Sequence, residues 1–141
     1  MPGDKKLPVT IAKVEVGKLF DNKLAKPASE KLAAEVEAAI GKSGKLEVAR
    51  SVDKKDKGFH VTVKIVDITM DDKKDELACN IEIILHSLPG PKMIARVTGS
   101  AKFQGVNPKK MDKEVADLMA EAMKKTGSNV KKGLEDKIDA L

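Results

Sequence analysis

Residues 59–88, FHVTVKIVDITMDDKKDELACNIEIILHSL, decide the fold. Two runs rich in β-branched and aliphatic residues flank DDKKD, a polar stretch that can only be a turn between them. Apolar and polar residues alternate in both runs, so each strand has one face for a core and one for water. Centring the turn sets like against like. Val61 faces Leu85, Val63 faces Ile83 and Ile65 faces Ile81, while Lys64 faces Glu82 and His60 faces His86 on the opposite side.

The next segment extends the hairpin. Pro89-Gly90-Pro91 is a rigid turn into KMIARVTGSAKFQG, residues 92–105. A register centred on that turn pairs Leu85 with Met93, Ile83 with Ala95 and Ile81 with Val97. It brings Arg96 beside Glu82 and predicts a Lys64–Glu82–Arg96 ladder on one face. The same face would carry Val66, Ile68, Met70, Ile84 and Ile94, more aliphatic surface than a solvated sheet face normally shows. Either a helix covers part of it or a partner does, so these five are the candidate interface residues.

Upstream, PVTIAKVEVGKLF (8–20) reads as one strand whose alternation changes phase near Lys13, as at a bulge. In the Ala-rich stretch that follows, Ser29 is a candidate helix cap, and Leu32, Val36, Ala39 and Ile40 fall on one helical face. Gly41 and Gly44 end the helix, and KLEVARSV (45–52) forms a second strand. Downstream, Asn107 caps a helix with Pro108 at its first position. Met111, Val115, Leu118, Met119 and Ala122 form its apolar stripe. Gly127-Ser128-Asn129 is expected to interrupt it, leaving 128–141 as a terminal amphipathic segment.

The sum is a single α+β domain over residues 1–141, with 1–7 disordered. It is a two-layer sandwich of order β-α-β-β-β-α, with an antiparallel-rich sheet of about five strands and helices packed on it. At 141 residues such a domain can bury roughly two thirds of its unfolded surface.

Composition narrows function. Of 27 cationic side chains only Arg50 and Arg96 are arginine, and the chain has two histidines, one cysteine, no tryptophan and no tyrosine. Catalysis needs a base, a nucleophile or a metal ligand beside an orienting group, and specific recognition leans on Arg, Tyr and Trp. Both inventories are thin, and the chain does not read as an enzyme. One cysteine excludes an internal disulfide and a Cys-based zinc site. Cys79, in LACNIEIIL, reads as a buried strand thiol, with pairing between chains the alternative.

No phosphate-binding glycine loop follows a strand, because GKSGK (41–45) follows a helix and precedes a strand. The acidic cluster Asp71, Asp72, Asp75 and Glu76 lacks the glycine and spacing of a calcium loop. His60 and His86 are the weakest candidates for metal, with no third ligand specified, and no cofactor is expected. Net charge is +5, which permits polyanion binding through Lys54, Lys55, Lys57, Lys109 and Lys110. Lysine is a point charge rather than a bidentate fork, and three phenylalanines offer little base stacking, so specific nucleic-acid binding is not expected. No apolar run approaches a membrane span, and MPGDKKLPVT contains no signal-peptide h-region.

VTIAKVEVGKLF followed by a Leu/Ala-rich helix and GKSGKLEVARS resembles the strand–helix–Gly turn–strand opening of a bacterial envelope group. That group includes the TolB amino-terminal domain, lipoprotein activators of penicillin-binding proteins and curli secretion-type lipoproteins. The likeness covers residues 9–52. The second half, NIEIILHSLPGPKMIARVTGSAKFQG with its long terminal helix, is similar to small uncharacterised bacterial lipoproteins, although no lipobox cysteine is present. The resemblance implies a non-enzymatic accessory module in the periplasm or at the outer membrane; without it the cytoplasm is the default. Three functions follow: an assembly module acting on a protein partner or on itself, a weak lysine-driven polyanion binder, or a small-ligand carrier.

Overall fold

The structure is a computed structural model that describes residues 6–141. The six strands are β1 (Leu7–Ile11), β2 (Glu15–Leu19), β3 (Leu46–Val48), β4 (Gly58–Asp71), β5 (Glu76–Leu88) and β6 (Lys92–Gln104). Two helices, α1 (Ala25–Gly41) and α2 (Met111–Glu135), complete the α+β fold. The sheet order is β3-β1-β4-β5-β6, with β2 also paired to β4. The expected disorder of 1–7 is corrected at Leu7, which opens β1, while residues 1–5 lie outside the described residues.

The first β4–β5 hairpin has the expected register: Val61 faces Leu85, Val63 faces Ile83, Ile65 faces Ile81, Lys64 faces Glu82 and His60 faces His86. The sheet is mixed, however, because β1 pairs in parallel with both β3 and β4, and β2 in parallel with β4. The single strand expected over 8–20 is two strands. Val9 faces Phe59 but Glu15 faces Lys64, so one extra residue is taken up between them, near Lys13.

A second bulge sits at Val66. Ile65 faces Ile81, but Asp67 faces Asn80, and Val66 is left over. Asn80 Nδ2 donates to Asp67 Oδ1 at 3.0 Å and holds the register beyond it. Across the ladder, Gly17 lies between Val16 and Lys18, the partners of Ile65 and Asp67. A Cβ there would collide with the carbonyl oxygens of Val66 and Ile65, so only glycine lets β2 approach the bulge.

The β5–β6 register is displaced by two from expectation. Leu85 faces Ala95, Ile83 faces Val97 and Ile81 faces Gly99. The turn closes Ser87 onto Lys92, one residue beyond a symmetric closure, and a bulge at Ile94 adds another. From Ala95 onward the displacement is even and leaves Ala95 and Val97 inward, but at the Ile94 bulge the alternation inverts: Met93, expected opposite Leu85 on the buried face, faces His86 instead and is 61% exposed.

Both helices cover the same sheet face. Their buried residues, Leu32, Val36 and Ile40 from α1 with Val115, Leu118, Met119 and Val130 from α2, join Val61, Val63, Ile65, Ile81, Ile83 and Leu85 in one core. Ser29 does not cap α1. It lies inside the helix and its hydroxyl donates to the Ala25 carbonyl at 2.6 Å. The cap is Asp21, which accepts from the Lys23 amide at 3.0 Å and starts a 3-10 turn, Asn22–Leu24, that runs into α1.

Gly127 does not interrupt α2 either. It is buried, and an added Cβ would stand 3.2 Å from Ala39 Cβ. The glycine serves close approach of the two helices rather than a stop. Asn107 does act as expected, accepting from the Lys109 amide at 3.0 Å at the lead-in to α2. The terminal segment is therefore the continuous end of α2 followed by a 3-10 turn, Ile138–Ala140.

Candidate interaction surface

The two bulges redistribute the five aliphatic residues expected on the uncovered face. Val66 is the residue left over at its bulge, and beyond it the alternation inverts. Ile68 is 1% exposed in the core, facing Cys79, and Met70 faces Leu77 and packs on the same core. Ile94, at the bulge in β6, also packs against the core. Those three belong to the helix-covered side. Val66 and Ile84 alone remain outside it, so the expected aliphatic face is corrected to a polar one. Its rows contain Thr10, His60, His86 and the exposed Met93, then Thr62 and Ile84, then Lys64 and Glu82.

The ladder is present in altered form. Lys64 lies opposite Glu82, and Arg96, directly opposite Ile84, reaches diagonally to donate to Glu82. Further along, Lys102 pairs with Glu76 at 3.5 Å. Two of the cations on β6 are thus neutralised by carboxylates of β5.

His60 and His86 face each other with ring centroids 6.1 Å apart. His60 gains a neighbour that sequence reasoning missed. Thr10 Oγ1 lies 2.7 Å from His60 Nδ1 and 3.4 Å from the Phe59 carbonyl oxygen. The short contact engages His60 through Nδ1 and leaves Nε2 outside it, whichever of the two groups carries the shared proton. Burial, then the neighbouring His86, lowers the His60 pKa below the ordinary histidine value. Thr10 was legible as a strand residue, but its parallel pairing with β4 leaves no local signal.

The lysines do not form one patch. Lys54, Lys55 and Lys57 precede β4, whereas Lys109 and Lys110 follow β6 at the far end of the sheet. At about 3.3 Å per residue, the fourteen-residue β4 separates the two groups by roughly 40 Å. All five are exposed, and Lys57 Nζ donates to the Leu141 carbonyl at 2.8 Å. The depression between α1 and α2 is lined by Ala38, Ala39, Ala120, Met123 and Gly127 together with Glu35, Ser128, Lys42, Lys124 and Lys131, a mixture of small apolar groups and charges of both signs.

One end of the sheet is left unpaired. Strand β6 closes one end of the sheet order, so the backbone groups on its outer side have no strand partner over thirteen residues. Cys79 is buried, which pushes its thiol pKa up to about 11, despite a backbone hydrogen bond with Ala101 that favours the thiolate. No helix among the described residues is long and apolar enough to cross a membrane.

No family model matches the sequence, and no curated protein matches it either. Solved structures do share the fold. Protein XCC0632 of Xanthomonas campestris, from DUF330, superposes with a TM-score of 0.59 at 16% identity, covering 97% of this chain and 90% of its own. A putative lipoprotein of Caulobacter crescentus gives 0.52 at 9% identity, covering 91% of each. The PelC dodecamer of Paraburkholderia phytofirmans gives 0.50 at 9% identity, covering 84% of this chain and 86% of its own. At these identities the likeness is one of fold alone.

Proposed function

We propose that this protein is a non-catalytic assembly module of the bacterial cell envelope. It acts by protein–protein contact, first with further copies of itself, through the outer edge of β6. The observation that carries this reading is the open thirteen-residue strand at the end of the sheet. Its unpaired amides and carbonyls template a further strand. Edge lysines ordinarily discourage such pairing, but Arg96 and Lys102 are held by Glu82 and Glu76. An antiparallel copy centred on Thr98 places Arg96 across from Ser100 and Lys92 across from Gln104, with no like charges opposed. The dodecameric state of the PelC relative supports self-association, and the putative lipoprotein among the fold relatives supports an envelope setting. The TolB-like opening of residues 9–52 enters this reading as fold analogy.

Light scattering on a size-exclusion column tests it, with wild type beside Thr98→Lys/Ser100→Lys and Ile84→Lys. A defined wild-type oligomer is expected, dissociated by the edge pair and retained by Ile84→Lys. A wild type that stays monomeric at high protein concentration overturns the reading. Dissociation by Ile84→Lys with the edge variant intact moves the interface to the sheet face.

A further inference from the structure

We propose that His60 and His86 form a two-histidine site for a late first-row divalent metal ion, copper(II) above the others, on the uncovered face of the sheet. Three observations converge on it. The rings face each other across β4 and β5 with centroids 6.1 Å apart, and an ion held at about 2.1 Å by one nitrogen of each fits between them. Both rings ride on central strands rather than loops, so little ordering is needed to bring them together.

His60 is also supported as metal-binding imidazoles are. Its Nδ1 shares a hydrogen bond with Thr10 Oγ1 at 2.7 Å, which fixes the ring and leaves Nε2 as the nitrogen for the ion, in the tautomer that donates Nδ1–H to the hydroxyl. A hydrogen-bonded hydroxyl behind one nitrogen makes the other a better donor.

The third observation is an orphan. His86 Nδ1 is buried and has no hydrogen-bond partner; it is the one such side-chain atom found among the described residues. Native proteins seldom leave a buried polar nitrogen unpaired, and a ligand is one of the few things that satisfies it. Here the unpaired nitrogen belongs to the ring that faces the second histidine.

Neutral imidazole suits copper, nickel and zinc, and the order of divalent affinities puts copper first. The two rings supply two ligands, and water fills the remaining positions, so the site is open. It exchanges its ion readily and does not depend on the assembly proposed for β6.

Because the chain has only two histidines, the test is direct. Copper(II) chloride is added below one equivalent to the full chain at pH 7.5 while the ring Cε1–H resonances are recorded. Both are expected to broaden together, with calorimetry giving one ion per chain. His60→Gln and His86→Gln, each checked for native circular dichroism, lower affinity at least 10-fold, and Thr10→Val lowers it about 10-fold. Broadening of one ring alone, of neither, or affinity unchanged in both histidine variants overturns the site. The wild-type spectra decide the matter even where a variant fails to fold.

Discussion

Thr126 and Gly99 meet where α2 crosses β6: a Cβ added to Gly99 would overlap the Thr126 hydroxyl, which donates to the Ala122 carbonyl at 2.7 Å. The buried hydroxyl is held inside its own helix, so it cannot swing aside. Gly99→Ala should therefore destabilise the protein by about 1–3 kcal/mol, as overpacking does. Combined with Thr126→Ala, the loss should be clearly less than the sum of the two single effects. Urea unfolding of the four proteins measures this; strict additivity would mean the two residues do not touch.

The bulge at Val66 makes Ile68 and Ile84 unequal. Ile68→Ala opens a cavity among core residues and should cost about 2–5 kcal/mol. Ile84→Ala, on the half-buried outer face, should cost below about 1.5 kcal/mol. Denaturant midpoints with unchanged slopes give the comparison, and equal losses would return Ile68 to the outer face.

Histidine protonation should weaken the fold. The His60 pKa is lowered by burial and then by His86, so the unfolded chain binds the proton more tightly. The stability this contributes is present above the ordinary histidine pKa and is lost as pH falls through it toward the folded value. Melting temperature should drop between pH 7.5 and 5.5 in metal-free wild type. The drop should be smaller in His60→Gln, and identical profiles would show that this histidine is not the source.

Cys79 should be silent to thiol reagents. With the side chain buried and its pKa pushed up to about 11, an aromatic disulfide reagent at pH 8 should not label the native protein within an hour. One thiol per chain should react at once in denaturant. Rapid native labelling would mean that the β5 interior opens on that timescale.

Elements whose signals are local can be read from the chain alone. Alternation around DDKKD determined the β4–β5 pairing from His60–His86 to Ile65–Ile81, because a slip would turn every core residue outward; on the turn side of Val66 the pairs stand one residue off that register. Periodicity likewise placed Leu32, Val36, Ile40, Val115 and Leu118 in the core. Tertiary structure decided what depends on residues far apart in the chain. The bulge at Val66 is a pairing defect accommodated by Gly17, and it alone moved Ile68 and Met70 from a supposed interface into the core. Gly127 reads locally as a helix stop, but the passing Ala39 makes it a contact. Thr10 meets His60 through a parallel pairing fifty residues apart, and parallel pairing joins strands through crossovers that no short-range pattern records.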